Sequence, residues 1–160
     1  RYTPAVDRTR FRSLTVVALI AAAGGALTLC AAEPSVVDAA GAPASWAGLV
    51  QEHAPLALVL WASWAPGAET VLQDLDTLDA TARSAGLKLV LVDVQEPSED
   101  AWTALEGVDV LWFHDRYGSL LKHYRAVKIP ALVVVLGDGT PSAPMAPTSE
   151  VLGQWKERRR

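Results

Sequence analysis

Trp61-Ala62-Ser63-Trp64-Ala65-Pro66-Gly67-Ala68 joins an uninterrupted apolar run to a segment of helical period, and the fold is read outward from this junction. Upstream, Leu56 to Ser63 has the continuous apolar character of a strand covered on both faces, as central parallel strands are. Downstream, Pro66 suits a first helical turn. Val71, Leu72, Leu75 and Leu78 then recur at helical spacing, with Glu69, Asp74, Asp76 and Asp79 on the other face. Gly86 can stop that helix, and Leu87 to Gln95 is a second apolar strand. Strand, helix and strand in this order predict a right-handed crossover with parallel pairing.

The flanks extend the same pattern. Ser45 is placed to cap a short helix through His53, which Pro55 stops. Pro97 and Ser98 open a helix through about Glu106, with Trp102 and Leu105 on its inner face, and Val108 to Phe113 reads as a short edge strand. Gly118 to Val127 reads as a helix with Leu120, Leu121 and Tyr124 on one side and Lys122 and Arg125 on another. Ala131 to Leu136 is a strand. Pro141 to Pro147 contains three prolines, which remove ladder donors and argue against a regular strand, so this edge is expected to be a loop docked elsewhere. Ser149 is expected to cap a last helix whose Lys156, Arg158, Arg159 and Arg160 lie at the negative end of its dipole.

Three segments together resemble the membrane-tethered thioredoxin-like thiol oxidoreductases of the TlpA and ResA kind. They are the apolar run into Trp64-Ala65-Pro66-Gly67-Ala68, the segment Val127-Lys128-Ile129-Pro130-Ala131-Leu132-Val133-Val134-Val135, and the turn Gly137-Asp138-Gly139. The resemblance covers the chain after about residue 44 and implies a thioredoxin-like central sheet flanked by helices. It also implies that Ile129-Pro130 is a cis bond facing the active-site loop. Alanine stands at 65 and 68, where the family carries its two cysteines, and Val59 stands where thioredoxins often carry a buried acid. A helix N-terminus stabilises a thiolate, but Ala65 and Ala68 can carry neither a thiolate nor a disulfide. The motif is therefore degenerate, and no catalytic residue and no cofactor are expected.

Composition sets the remaining bounds. The chain has 160 residues, 51% hydrophobic and 20% charged, which fits one folded domain with appendages. Beyond Ala32 there are ten basic and seventeen acidic residues, so the body is acidic and nucleic acid is not an expected partner. Arg1, Arg8, Arg10 and Arg12 precede an uncharged run from Ser13 to Ala32, long enough to cross a bilayer as a helix. With Glu33 and Asp38 following, the positive-inside rule gives a cytoplasmic tail (1–12), a transmembrane helix (13–32), a linker (33–43) and a periplasmic domain (44–160) in a bacterial inner membrane. A cleaved signal peptide has the same order, but twenty residues exceed its usual apolar region, so a retained anchor is expected. Gly24 and Gly25 would let a neighbouring membrane helix approach closely. Cys30 reads as a small apolar residue at the outer membrane interface.

Other constellations are thin. His114, Asp115 and His123 have no spacing that resembles a metal site, so no metal is expected. No paired-carboxylate arrangement stands out, and the acids read as solvated helix faces. What remains is a groove beside Pro130, overhung by Trp64, where Ile129 would offer its backbone to a visiting strand. The expected function is a redox-inactive, membrane-anchored accessory or scaffold subunit. Its partners would be integral membrane and periplasmic subunits of a larger complex, respiratory or photosynthetic, with the bilayer itself met through the N-terminal helix. Two alternatives stay open: a thiol-disulfide oxidoreductase present as a Cys-to-Ala variant, and a holdase that grips extended apoproteins.

Overall fold

A computed structural model of the chain describes residues 33–158. The expected tail (1–12), the transmembrane run (13–32) with Gly24, Gly25 and Cys30, and Arg159 and Arg160 lie outside the described residues. Among the described residues no helix is long and apolar enough to cross a membrane.

The apolar runs become the centre of a six-stranded sheet. Strand β3, Leu56–Trp61, lies between β4, Lys88–Val94, which is parallel to it, and β6, Ala131–Val135, which is antiparallel. Strand β5, Leu111–Asp115, continues the parallel set beyond β4. Every residue of β3 and β6 is buried, so both faces of the sheet centre are covered. Full burial of each large aliphatic side chain there contributes about 1.5–3 kcal/mol.

The sheet does not end at β5. Residues 33–43, expected as a linker, contain β1, Ser35–Asp38, which pairs antiparallel with β5 and with β2, Pro43–Ser45. The order is β2-β1-β5-β4-β3-β6, so β5 is an interior strand and not an edge. Its five residues extend to Asp115, past the expected end at Phe113. The hairpin escapes a pattern search because it is short and turns through Gly41 at φ +84°. The Asp38 side chain accepts the amides of Ala40 and Ala42, fixing that turn.

Helices form where the periodicity places them, with shifted ends. Helix α1, Trp46–His53, is capped by Ser45, whose Oγ accepts the Gly48 amide. The helix after Pro66 divides into α2, Ala68–Gln73, and α3, Leu75–Ser84, at Asp74, whose ψ of 3° leaves the helical range. The i to i−4 bonds into and out of Asp74 persist, so the break is a kink. Helix α4 is Ser98–Ala104 and α5 is Ser119–Tyr124, cut short because Arg125 is left-handed at φ +55°. Helix α6, Ser149–Glu157, is capped by Thr148 and not by Ser149, since the Thr148 hydroxyl accepts the Val151 amide.

The proline-rich segment forms no regular strand, as its composition predicts. It docks along the outer edge of β6 and not elsewhere: Leu132 exchanges two backbone bonds with Met145, and Ser142 pairs with Val134. Helix α3 packs on α6 and on β4. Helices α1 and α5 are joined by a buried hydrogen bond from Trp46 Nε1 to Tyr124 Oη at 2.7 Å.

Candidate functional site

Parallel strands run side by side to a common carboxyl end, and loops leaving that end form the crevice where α/β sheets bind their ligands. Here β3 leaves into Ala62 to Gly67, and β4 leaves into Gln95 to Pro97. The first loop is a tight turn: the Ala65 amide donates to Ala62 O and the Ala68 amide to Ala65 O, and Gly67 adopts φ +83° before α2 begins. Trp61 Nε1 donates to Ala68 O at 2.9 Å, tying strand to helix through a buried indole. Ala65 and Ala68 are 5% and 3% exposed, so the two methyl groups are packed beneath the turn. Trp64 points the other way and is 58% exposed.

The Ile129-Pro130 bond is cis, as the resemblance implies, and so is Ala54-Pro55. Trp64, Pro66, Gly67, Ile129 and Pro130 line a single open groove of about 760 Å³, with Val71 at its floor side and Val127 and Lys128 on its rim. The structure therefore brings together the residues expected to form a binding groove. Val127 is almost fully exposed and adds a second bare apolar surface to that of Trp64. The proline-rich segment runs along the outer edge of β6 as far as Leu132 and then reaches the groove itself, where Pro147 and Thr148 join Ile129 and Pro130 in its lining.

Beneath this loop lies a polar cluster. Asp93, Glu96, His114 and Asp115 are all at most 3% exposed, in contrast to the expectation that the acids are solvated helix faces. The sheet register explains the grouping, because Trp61, Asp93 and His114 are direct neighbours across β3, β4 and β5. Asp93 Oδ2 lies 2.7 Å from His114 Nδ1, and His114 Nε2 lies 3.3 Å from Ser98 Oγ at the start of α4. Glu96 reaches the loop: its Oε1 accepts the Ser63 amide at 2.8 Å and the Ser63 hydroxyl, and its carboxylate also faces the Trp64 amide. Asp115 holds the start of α5, accepting the Leu120 amide at 2.7 Å and the Ser119 hydroxyl at 3.1 Å.

Burial sets the protonation of the cluster. Asp93 is pushed up to about 9 by burial, reinforced by its hydrogen bond to Glu96 and by the charges of Glu96, Asp115 and Asp100. Burial also acts to raise Glu96, but the bonds it accepts from Asp93, Ser63 and Trp64 outweigh this and hold it below its ordinary value. Burial lowers His114, against the opposing charges of Asp115 and Glu96. At neutral pH the carboxyl of Asp93 and the imidazole of His114 are therefore uncharged and Glu96 carries the charge. His114 and Asp115 have structural partners, and His123 lies apart on α5 against the Tyr124 ring. Among the described residues no group of three or more His, Cys, Asp or Glu is arranged to hold a metal ion.

This architecture matches known structures. The fold is thioredoxin-like. The thioredoxin domain of a thiol-disulfide oxidoreductase from Bacteroides vulgatus superposes with a TM-score of 0.62 at 15% identity, over 78% of this chain and 91% of that one. An exposed lipoprotein thioredoxin from Streptococcus pneumoniae gives 0.59 at 18% identity, covering 79% and 99%. A secreted disulfide oxidoreductase of Mycobacterium tuberculosis, homologous to E. coli DsbE, gives 0.54 at 18% identity, covering 78% and 94%. At such identities the likeness shows a fold and not a chemistry. No family model matches the sequence, and no curated protein matches it.

Trp64, Ile129 and Pro130, expected together from the sequence, line one groove, whereas the cluster beneath it was not expected. The missed signal was Asp93 itself, an acid inside a run otherwise fit for burial on both faces. Such a residue must be buried with it.

Proposed function

We propose that this thioredoxin-like domain is a redox-inactive binding module that holds extended segments of other proteins in the groove between Trp64 and Pro130. The observation that carries this reading is the intact groove beside a turn in which alanine occupies both sulfur positions. An extended chain could pair with the backbone at Ile129 and pack its side chains on Trp64 and Val127, which is strand addition without turnover. Strand addition at this one short wall suits a scaffold or accessory subunit. We further propose that the apolar run 13–32 tethers the domain to the inner membrane, with Gly24 and Gly25 against a partner helix. Partners would then be membrane and periplasmic subunits of one complex.

The full chain in mild detergent, titrated into labelled, reduced and carboxymethylated α-lactalbumin as a permanently unfolded probe, tests the groove. Trp64→Ala is expected to weaken binding by roughly thirtyfold, the loss typical of a buried aromatic anchor. Equal affinity of the two proteins would remove the groove from the account. Insulin reduction by dithiothreitol should run at the same rate with and without the protein; an acceleration that persists in Cys30→Ser would mean redox activity. A pull-down of Gly24→Leu/Gly25→Leu is expected to lose the partners and stay in the membrane fraction.

The intact frame also favours a second reading, a thiol-disulfide oxidoreductase with both cysteines replaced. Codons 65 and 68 of the source gene decide it, since cysteine codons there would make the alanines an alteration of an active enzyme.

A further inference from the structure

Asp93 Oδ1 and Glu96 Oε2 are buried carboxyl oxygens without a hydrogen-bond partner, and the two side chains lie within hydrogen-bonding reach of each other. Leaving both unpaired, or facing each other as two bare anions, would cost more than one lost hydrogen bond. One proton between them satisfies both. The remaining oxygens are already committed, Asp93 Oδ2 to His114 and Glu96 Oε1 to the Ser63–Trp64 turn. With His114 neutral, its Nδ1–H donates to Asp93 and its Nε2 accepts from Ser98, so the row has one consistent set of protons.

We propose that Asp93 and Glu96 act as a proton-sharing pair that anchors the Ser63–Trp64 turn and thereby positions Trp64 over the groove. Glu96 is then a positioning residue for binding, and Asp93 is what keeps its charge in place. This rests on the groove reading in one respect, that Trp64 contacts the bound chain.

Two alternatives can be weighed on the same geometry. Ser98, His114 and Asp93 have the separations of a nucleophile, base and orienting acid. An acid that shares its proton with Glu96 cannot compensate an imidazolium, however, and burial already disfavours that cation on His114. The row therefore serves as a hydrogen-bond relay. The Asp93–Glu96 pair could instead be a passive core feature, in which case its ionisation would leave the turn unmoved. The charged and titratable groups facing the pair are Asp100 on α4 and His114 and Asp115 on β5, with Arg116 acting on His114. Loss of the shared proton places a second negative charge beside Glu96 among these acids, and separating the carboxylates pulls on the Ser63 and Trp64 amides.

The full chain, isotope-labelled and followed by NMR from pH ~6 to ~10.5, tests this. The side-chain carboxyl carbon of Asp93 is expected to titrate near 9. The Ser63 and Trp64 amides should move with the same midpoint. Asp93→Asn, which can donate to Glu96 and cannot ionise, should abolish the step at both amides. Glu96→Gln should speed hydrogen exchange at the Ser63 amide by about tenfold at neutral pH. Amides that do not follow the Asp93 carbon, or a step that survives in Asp93→Asn, would overturn the proposal. Should Asp93→Asn fail to fold, the wild-type carbon and amide titrations still decide it. Carboxymethylated α-lactalbumin affinity, read in the same samples, separates the two ideas. A coupled titration with no binding at any pH supports the anchor and removes the groove reading; Trp64-dependent binding without a coupled titration does the reverse.

Discussion

At the scale of the residue, burial of a carboxyl group in a central strand makes stability depend on pH in a direction that can be worked out. Folding raises Asp93 from 3.8 to about 9, so the folded state favours the neutral acid. Its contribution is complete below pH 3.8 and is lost progressively as pH rises through about 9. Glu96 and His114 are lowered, and their contributions are lost on the acid side, below 4.5 and 6.5 respectively. Between pH ~7 and ~9 Asp93 is thus the member of the cluster that changes, with a slope of at most about 1.4 kcal/mol per pH unit. Asp93→Asn is expected to flatten that decline. Urea unfolding of both proteins at the two ends of the window checks it, and equal slopes would mean that Asp93 is ionised in the fold.

Elements depend on caps whose identity sequence alone leaves ambiguous. Thr148 and Ser149 are adjacent, both can cap a helix, and either satisfies the pattern before α6. The structure selects Thr148, which has extended backbone angles and a hydroxyl 3.2 Å from the Val151 amide. Thr148→Ala is therefore expected to cost about 1 kcal/mol and Ser149→Ala only a few tenths, measured by denaturant titration. The reverse ranking would place the cap at Ser149. Helix α6 is further held by Lys156, which donates to Ser84 O at the end of α3. A weakened cap should therefore loosen the α3 to α6 contact before the sheet.

At the scale of the whole molecule, the β1-β2 hairpin protects the parallel sheet. Without it β5 would be an edge carrying unpaired backbone groups, a template for association with other chains. Pro34 O accepts the Trp46 amide at 3.0 Å, so the chain ends flanking the hairpin already meet. Excision of residues 35–45 is expected to leave a chain that still folds its central strands, melts lower through loss of buried Val36, and self-associates. Light scattering and thermal melting would show this. A monomer of unchanged stability would mean that the hairpin is dispensable and that β5 tolerates exposure.

Local chemistry and periodicity determined a great deal by themselves. The apolar runs at 56–63, 87–95 and 131–136 specify buried strands because only a two-sided cover accommodates them. Pro66 and the spacing from Val71 to Leu78 specify the following helix. The two alanines fix the absence of sulfur at the turn, since side-chain identity needs no structure. The groove was legible because the order of Trp64, Ile129 and Pro130 resembled a known arrangement. What tertiary structure alone decided depends on cross-strand register. Glu33 to Pro43 carries no period long enough to announce a strand, and became one only by pairing with β5. Asp93, Glu96 and His114 are separated in the chain by up to 21 residues. Only the parallel register of β4 and β5 sets His114 beside Asp93, and only the burial of that register gives their protons a single arrangement beneath the turn.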